Sequence, residues 1–147
     1  MKKLVACVVF CLLAAGWAAA GEKGTPEEAK ALLDKAVALV KAEGDAKALA
    51  KFNDPKGGFR DRDLYVFCFG PDNKVSANVD QSMIGKDEAS LKDADGKAIG
   101  AQMMDIRKTG EGTVEYKWKN PVSQKVETKV SYLKKAGNQV CGVGAYK

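Results

Sequence analysis

Gly112–Tyr132 reads GTVEYKWKNPVSQKVETKVSY. Val114, Tyr116 and Trp118 alternate with Thr113, Glu115, Lys117 and Lys119. A period of two with one apolar and one polar face is the pattern of a half-buried strand. Asn120-Pro121 interrupts the run, because proline has no N–H to give to a ladder. A second alternating run follows, with Val126, Thr128, Val130 and Tyr132 on one face and Glu127, Lys129, Ser131 and Leu133 on the other. Two such runs around a polar turn predict a β-hairpin that holds aromatic and lysine side chains close together.

The chain begins with a different kind of segment. Lys2 and Lys3 precede an unbroken apolar run, Leu4–Leu13, and Ala18-Ala19-Ala20 supplies small residues before Gly21. This is the layout of a secretory signal peptide with an A-x-A-like cleavage site. The run is shorter than the ~20 residues a membrane span needs. Cys11 follows Phe10, where a lipid-anchor signal would want a small residue, and Cys7 comes before the apolar run has ended. The expected organisation is a signal peptide over residues 1–20 and one exported domain over 21–147, located in the periplasm.

The exported part has 22 basic residues once Lys2 and Lys3 are removed from the 24, against 19 acidic ones, for a net charge of +3. That is too small and too evenly spread for nucleic acid to be a partner. The chain has no histidine. Histidine-based triads, histidine-ligated haem and most zinc sites are thereby excluded, and no cofactor or metal is expected. Asp61, Asp63 and Glu115 are the remaining acid candidates for catalysis, but nothing pairs them with a nucleophile, so the chain is read as a binding protein and not an enzyme. Two cysteines, Cys68 and Cys141, remain after the leader. They are either one disulfide or two buried thiols. A bridge requires Cα atoms within ~7 Å and hence neighbouring strands.

Thr25-Pro26-Glu27-Glu28 has the composition of a capping box with proline at the first helical position. Ala29, Leu32, Leu33, Ala36, Val37 and Val40 then fall at helical spacing, and Gly44 ends the helix before a shorter one, Ala46–Phe52. The stripe Leu32, Leu33, Val37 and Val40 either packs on the domain or serves a partner. Leu64–Phe69 (LYVFCF) is wholly apolar, as a strand covered on both faces would be. Gly70-Pro71-Asp72-Asn73 is a turn, and Lys74–Val79 is its return strand. Gln81–Lys97 is irregular and polar, and its segment Met83-Ile84-Gly85-Lys86-Asp87 is expected to be pinned by Met83 and Ile84. Asp93-Ala94-Asp95-Gly96 opens like a calcium loop but has no glutamate at the twelfth position, so it reads as a tight turn. A short helix is expected over Ala98–Thr109. Gln139–Tyr146 (QVCGVGAY) is the last strand, and Gly142 and Gly144 leave room on its Val140/Tyr146 face for something to approach. The order predicts an α+β fold with five antiparallel strands.

Four phrases also resemble the single Cache domain family: LYVFCFGPDNKVSANVDQSMIGKD with its I-G-K-D, LKDADGKAIG with K-D-x-D-G-K, GEGTVEYKWKNPVSQKVETKVSYLKK with the Asn-Pro turn, and the closing VCGVGAY. The resemblance runs over Ala29–Lys147. It implies a PAS-like five-stranded antiparallel sheet with a long N-terminal helix and short helices. It also implies an extracytoplasmic sensory domain that binds a small metabolite, often a short carboxylate, between the sheet and the loops above it. Such domains are usually fused to chemoreceptors or sensor kinases, whereas a stand-alone exported copy would have no output of its own. Ala77-Asn78-Val79 stands where many relatives carry a histidine-proline pair. The expected ligand-binding residues are Tyr116, Trp118 and Tyr132 as aromatic walls, with Lys119 or Lys129 as the cation for a carboxylate. Lys129 alternates away from Tyr132, so the two meet only at a bend or an edge. The second reading is a protein partner for a membrane chemoreceptor or sensor kinase, docking through the first helix.

Overall fold

The computed structural model describes residues 23–147. The expected signal peptide lies outside the described residues. Helix α1, Pro26–Glu43, begins with the capping box: Glu28 N donates to Thr25 Oγ1 at 3.1 Å and Thr25 N donates to Glu28 Oε2 at 2.8 Å. Such a cap contributes ~1 kcal/mol. Helix α2, Asp45–Asn53, follows directly. Ala29, Leu33, Ala36 and Val40 of α1 are buried on the sheet, and Leu32 and Val37 pack partly against the same core. Burial of a leucine such as Leu33 is worth ~1.5–3 kcal/mol. The apolar stripe that suggested a docking face is therefore occupied by the protein's own sheet.

The sheet has six strands: β1 (Arg60–Asp61), β2 (Leu64–Phe69), β3 (Val75–Ala77), β4 (Glu111–Lys119), β5 (Val126–Ala136) and β6 (Gln139–Tyr146). Five were expected, and the addition is the two-residue β1, too short to leave an alternating pattern. Their order is β1-β2-β6-β5-β4, with β3 also on β2, and all neighbours are antiparallel. The first and last of the long strands are thus adjacent. Cys68 and Cys141 are register partners with Cα atoms 4.1 Å apart, joined by a disulfide.

Strands β2 and β6 are buried along their whole length because each face has a cover. Leu64, Val66 and Cys68 with Cys141, Val143 and Ala145 face the helices. Tyr65, Phe67, Phe69 and Val140 face the other way, into a second core. That second core is roofed by residues 78–109. The roof contains 3-10 turns at Gln81–Met83 and Glu88–Ser90 and two short helices, α3 (Gly100–Met104) and α4 (Ile106–Thr109), where one helix was expected. Met83 packs against the core while Ile84 is exposed, so one apolar residue pins that loop and not two. Gly100 lies so close to the Glu88 carbonyl that a Cβ would collide with it. Arg107 fastens the roof, its Nη2 donating to Glu88 Oε2 and to Gly70 O at 2.8 Å each.

The Asp93 turn has a structural task. Asp93 Oδ1 accepts from Asp95 N and Lys97 N, its Oδ2 accepts from Lys117 N, and Ala94 N donates to Lys117 O. The turn thus covers part of the open edge of β4, as unpaired strand edges require.

Candidate functional site

Register places Tyr116 of β4, Lys129 of β5 and Tyr146 of β6 opposite one another, and paired residues of an antiparallel sheet share a face. That face also carries Trp118, stacked edge-on against Tyr116 at 5.7 Å between ring centres. The Tyr116 hydroxyl meets Ser131 Oγ at 2.9 Å, and the Tyr146 hydroxyl donates to Lys119 O at 3.0 Å. The first expected strand parity is therefore the observed one, and it separates the five residues named from sequence.

Lys129 is 1% exposed. Its side chain crosses β6 over Gly144, where a Cβ would collide with it, and Gly142 likewise gives room to the Phe67 ring. The space that the two glycines leave is filled by the protein itself. Lys129 Nζ ends 4.0 Å from the centre of the Tyr65 ring and 5.2 Å from those of Phe67 and Tyr146. Cation–π contact of this kind offsets part of the cost of burying an ammonium. Burial pushes its pKa down to about 7, opposed by the charge of Asp63. Asp63 is itself buried, accepting from Gly24 N at 2.8 Å and Asn120 Nδ2 at 3.0 Å. Asn120 also donates to Glu127 Oε2 and accepts from Val122 N and Ser123 N, which shapes the Asn-Pro turn.

Two adjacent spaces, sharing Tyr65, Asn78, Met83 and Trp118, lie between this face and the roof. The inner one, about 20 Å³, is walled by Tyr65, Phe67, Tyr116, Trp118 and Met103, with Asn78 its one amide side chain. The outer one, about 340 Å³, adds Val79, Asp80, Lys119, Pro121 and Gln124 to the shared residues. Asn78 Oδ1 accepts from Asp80 N, so the donor it has left is Nδ2. Burial pushes the Tyr65 and Tyr116 hydroxyls well above the ordinary tyrosine range, which keeps both protonated at neutral pH.

Of the sequence-derived candidates, Tyr116, Trp118 and Lys119 line these spaces, whereas Lys129 lies behind the Tyr65 and Phe67 rings. Tyr132 requires correction. It faces α1, where Lys30 Nζ sits 4.8 Å from its ring centre, because three residues along a strand reverse the side of the sheet. Tyr65, Asn78, Met83, Asp80 and Gln124 were missed. Tyr65 was hidden inside an all-apolar run that shows no alternation, and the others lie in loops that only the fold brings over the sheet. The acids considered for catalysis each have a structural partner: Asp61 pairs with Arg62, Asp63 with Asn120, and Glu115 with Lys147. Among the described residues no cluster of three or more acids or cysteines could hold a metal ion, and no helix is long and apolar enough to cross a membrane.

The fold has counterparts elsewhere. A family model described as single Cache domain 2 matches residues 1–146. Among solved structures, a methyl-accepting chemotaxis protein from Vibrio parahaemolyticus RIMD 2210633 is similar with a TM-score of 0.69 at 23% identity, over 82% of this chain and 86% of that one. A periplasmic sensor domain of a chemotaxis protein has a TM-score of 0.60 at 21% identity, covering 82% and 88%. A Cache chemosensory domain described for carboxylic acid recognition has a TM-score of 0.59 at 22% identity, covering 82% and 86%. No curated protein matches the chain.

Proposed function

The chain belongs to the single Cache domain 2 family, and from that premise we propose that it is an extracytoplasmic sensor module that binds a small carboxylate without turning it over. The observation that carries this reading is the aromatic-walled space between sheet and roof, with Lys119 at its mouth and an apolar inner end. Such a concave, largely apolar site with few polar groups is the usual form of a small-molecule pocket. Lys119 supplies the point charge for the carboxylate, Asn78 a donor, and Tyr116 and Trp118 the wall. Lys129, behind Tyr65, adds positive charge to the same region. The recognition of a carboxylic acid by a structural neighbour supports the ligand class. Residues 1–20 would direct the protein to the periplasm as a free binding module, read out by a membrane receptor or sensor kinase.

The test is thermal unfolding of the purified protein against short carboxylates, amino acids included, at saturating concentration. A ligand at a hundred times its dissociation constant adds ~2.7 kcal/mol. A shift that disappears in a folded Trp118→Ala variant supports the site, and no shift from any member of the panel removes it.

A further inference from the structure

The outer cavity carries charge of both signs. Lys119 and Asp80 line the same 340 Å³ space, with Tyr65, Trp118 and Met83 between its rim and its apolar end. Asp80 opens the 3-10 turn at Gln81–Met83, and its Oδ1 accepts from Ser82 N at 2.9 Å. Hydrogen bonds from Ser82, and then the charges of Lys86 and Lys119, hold its carboxyl below the usual range, so it is an anion at neutral pH. Lys86 does not line the cavity, its Nζ lying 3.5 Å from Met83 Sδ. A ligand carrying only a carboxylate meets this fixed anion when it reaches Lys119. A ligand carrying only an ammonium meets Lys119. A ligand carrying both leaves neither rim charge facing its like. Beyond the outer cavity, the inner space of about 20 Å³ has room for a small group, of about water size, among aromatic and methionine side chains.

We propose that the ligand is a zwitterion, a small α-amino acid with a short aliphatic side chain, whose carboxylate pairs with Lys119 and whose ammonium pairs with Asp80. This inference rests on the cavity being the ligand site and adds to it the ammonium and the size of the side chain. Two charge-assisted contacts in place of one separate the zwitterion from either half-ligand by about tenfold.

The experiment is calorimetric titration of the purified protein with three matched compounds: L-2-aminobutyrate, butyrate and n-propylamine. Aminobutyrate is expected to bind about tenfold or more tightly than the other two. In Asp80→Asn the preference over butyrate is expected to fall to within about threefold, through weaker binding of the amino acid. Asparagine caps a turn as well as aspartate, so this variant keeps the roof in place. Butyrate binding as tightly as aminobutyrate to the unmodified protein, or an unchanged preference in Asp80→Asn, overturns the zwitterion and leaves the carboxylate reading standing. Failure of all three compounds to bind the folded protein overturns the zwitterion, and the carboxylate panel decides the reading on which it rests.

Discussion

Lys129 of β5 places its ammonium 4.0 Å from the ring centre of Tyr65 on β2, although β6 lies between the two strands. The crossing is made over Gly144 of β6, where an added side chain would stand in the lysine's path. A buried ammonium, a tyrosine face and a glycine are thus one arrangement.

Gly144→Ala tests that arrangement. The added methyl meets Lys129 Cε, Lys129 Cγ and Ser131 Oγ, and Ser131 is fully buried beside the Tyr116 hydroxyl. Over-packing of this kind costs ~1–3 kcal/mol. Urea unfolding is expected to show the loss. In a Lys129→Ala background, where the lysine stem is gone and the Ser131 Oγ contact remains, the same substitution is expected to cost less, a coupling that a double-mutant cycle reads directly.

Lys129→Met isolates the charge. With a folded pKa of about 7 against 10.5 in the unfolded chain, the native state holds fewer protons than the unfolded state between those values. Stability therefore rises with pH across that window, and the penalty of burying the cation is fully present below it. Methionine has no such penalty, and replacing a buried charge by an apolar side chain of similar length is often neutral or stabilising. The variant is expected to be the more stable protein at pH 6, with the difference narrowing as pH approaches 10. A constant difference across this range would mean that Lys129 keeps its charge throughout.

How much of this was legible in the sequence depended on where the physical signal was local. The capping box at Thr25, the β4–β5 hairpin and the opposition of Lys129 to Tyr132 follow from spacing, because backbone geometry fixes which side chains share a face. The Cys68–Cys141 pairing needed only strand adjacency. Tyr65 was not legible, because a strand buried on both faces loses its alternation. Asp80 and Asn78 were not legible either, since their positions over the sheet depend on a roof held by the Arg107–Glu88 contact far along the chain. Gly142 and Gly144 gave a true signal of close approach, but the approaching groups are Phe67 and Lys129 and not a ligand.

The disulfide closes a sequence separation of 73 residues between strands that already pair. Loop-closure entropy for that length corresponds to ~4 kcal/mol, with measured values usually nearer 2–4. Cys68→Ala/Cys141→Ala is expected to lower stability by ~2–4 kcal/mol in urea. Because both positions sit in the helix-facing core, the variant keeps its sheet, and far-ultraviolet circular dichroism should be unchanged below the transition.

Arg107 is the point at which the roof can be released. Glu88 is fully buried, burial raises its carboxyl above the ordinary range, and Arg107 is the cation that opposes this. Arg107→Met leaves that carboxylate without its partner and leaves Gly70 O with Asn73 N as its donor. Breaking a buried pair costs ~3–5 kcal/mol, and the 23% exposure of Arg107 argues for the lower end. The lost stability should return as pH falls, because an unpaired buried Glu88 takes up its proton more readily in the folded state than in the unfolded one. Adding Glu88→Gln should recover part of it at neutral pH. The same Arg107→Met variant should bind aminobutyrate more weakly than the unmodified protein even where both are fully folded, since Met83 and Asp80 belong to the roof that Arg107 fastens. Unchanged affinity would mean that the roof over the cavity is held without the Arg107 contact.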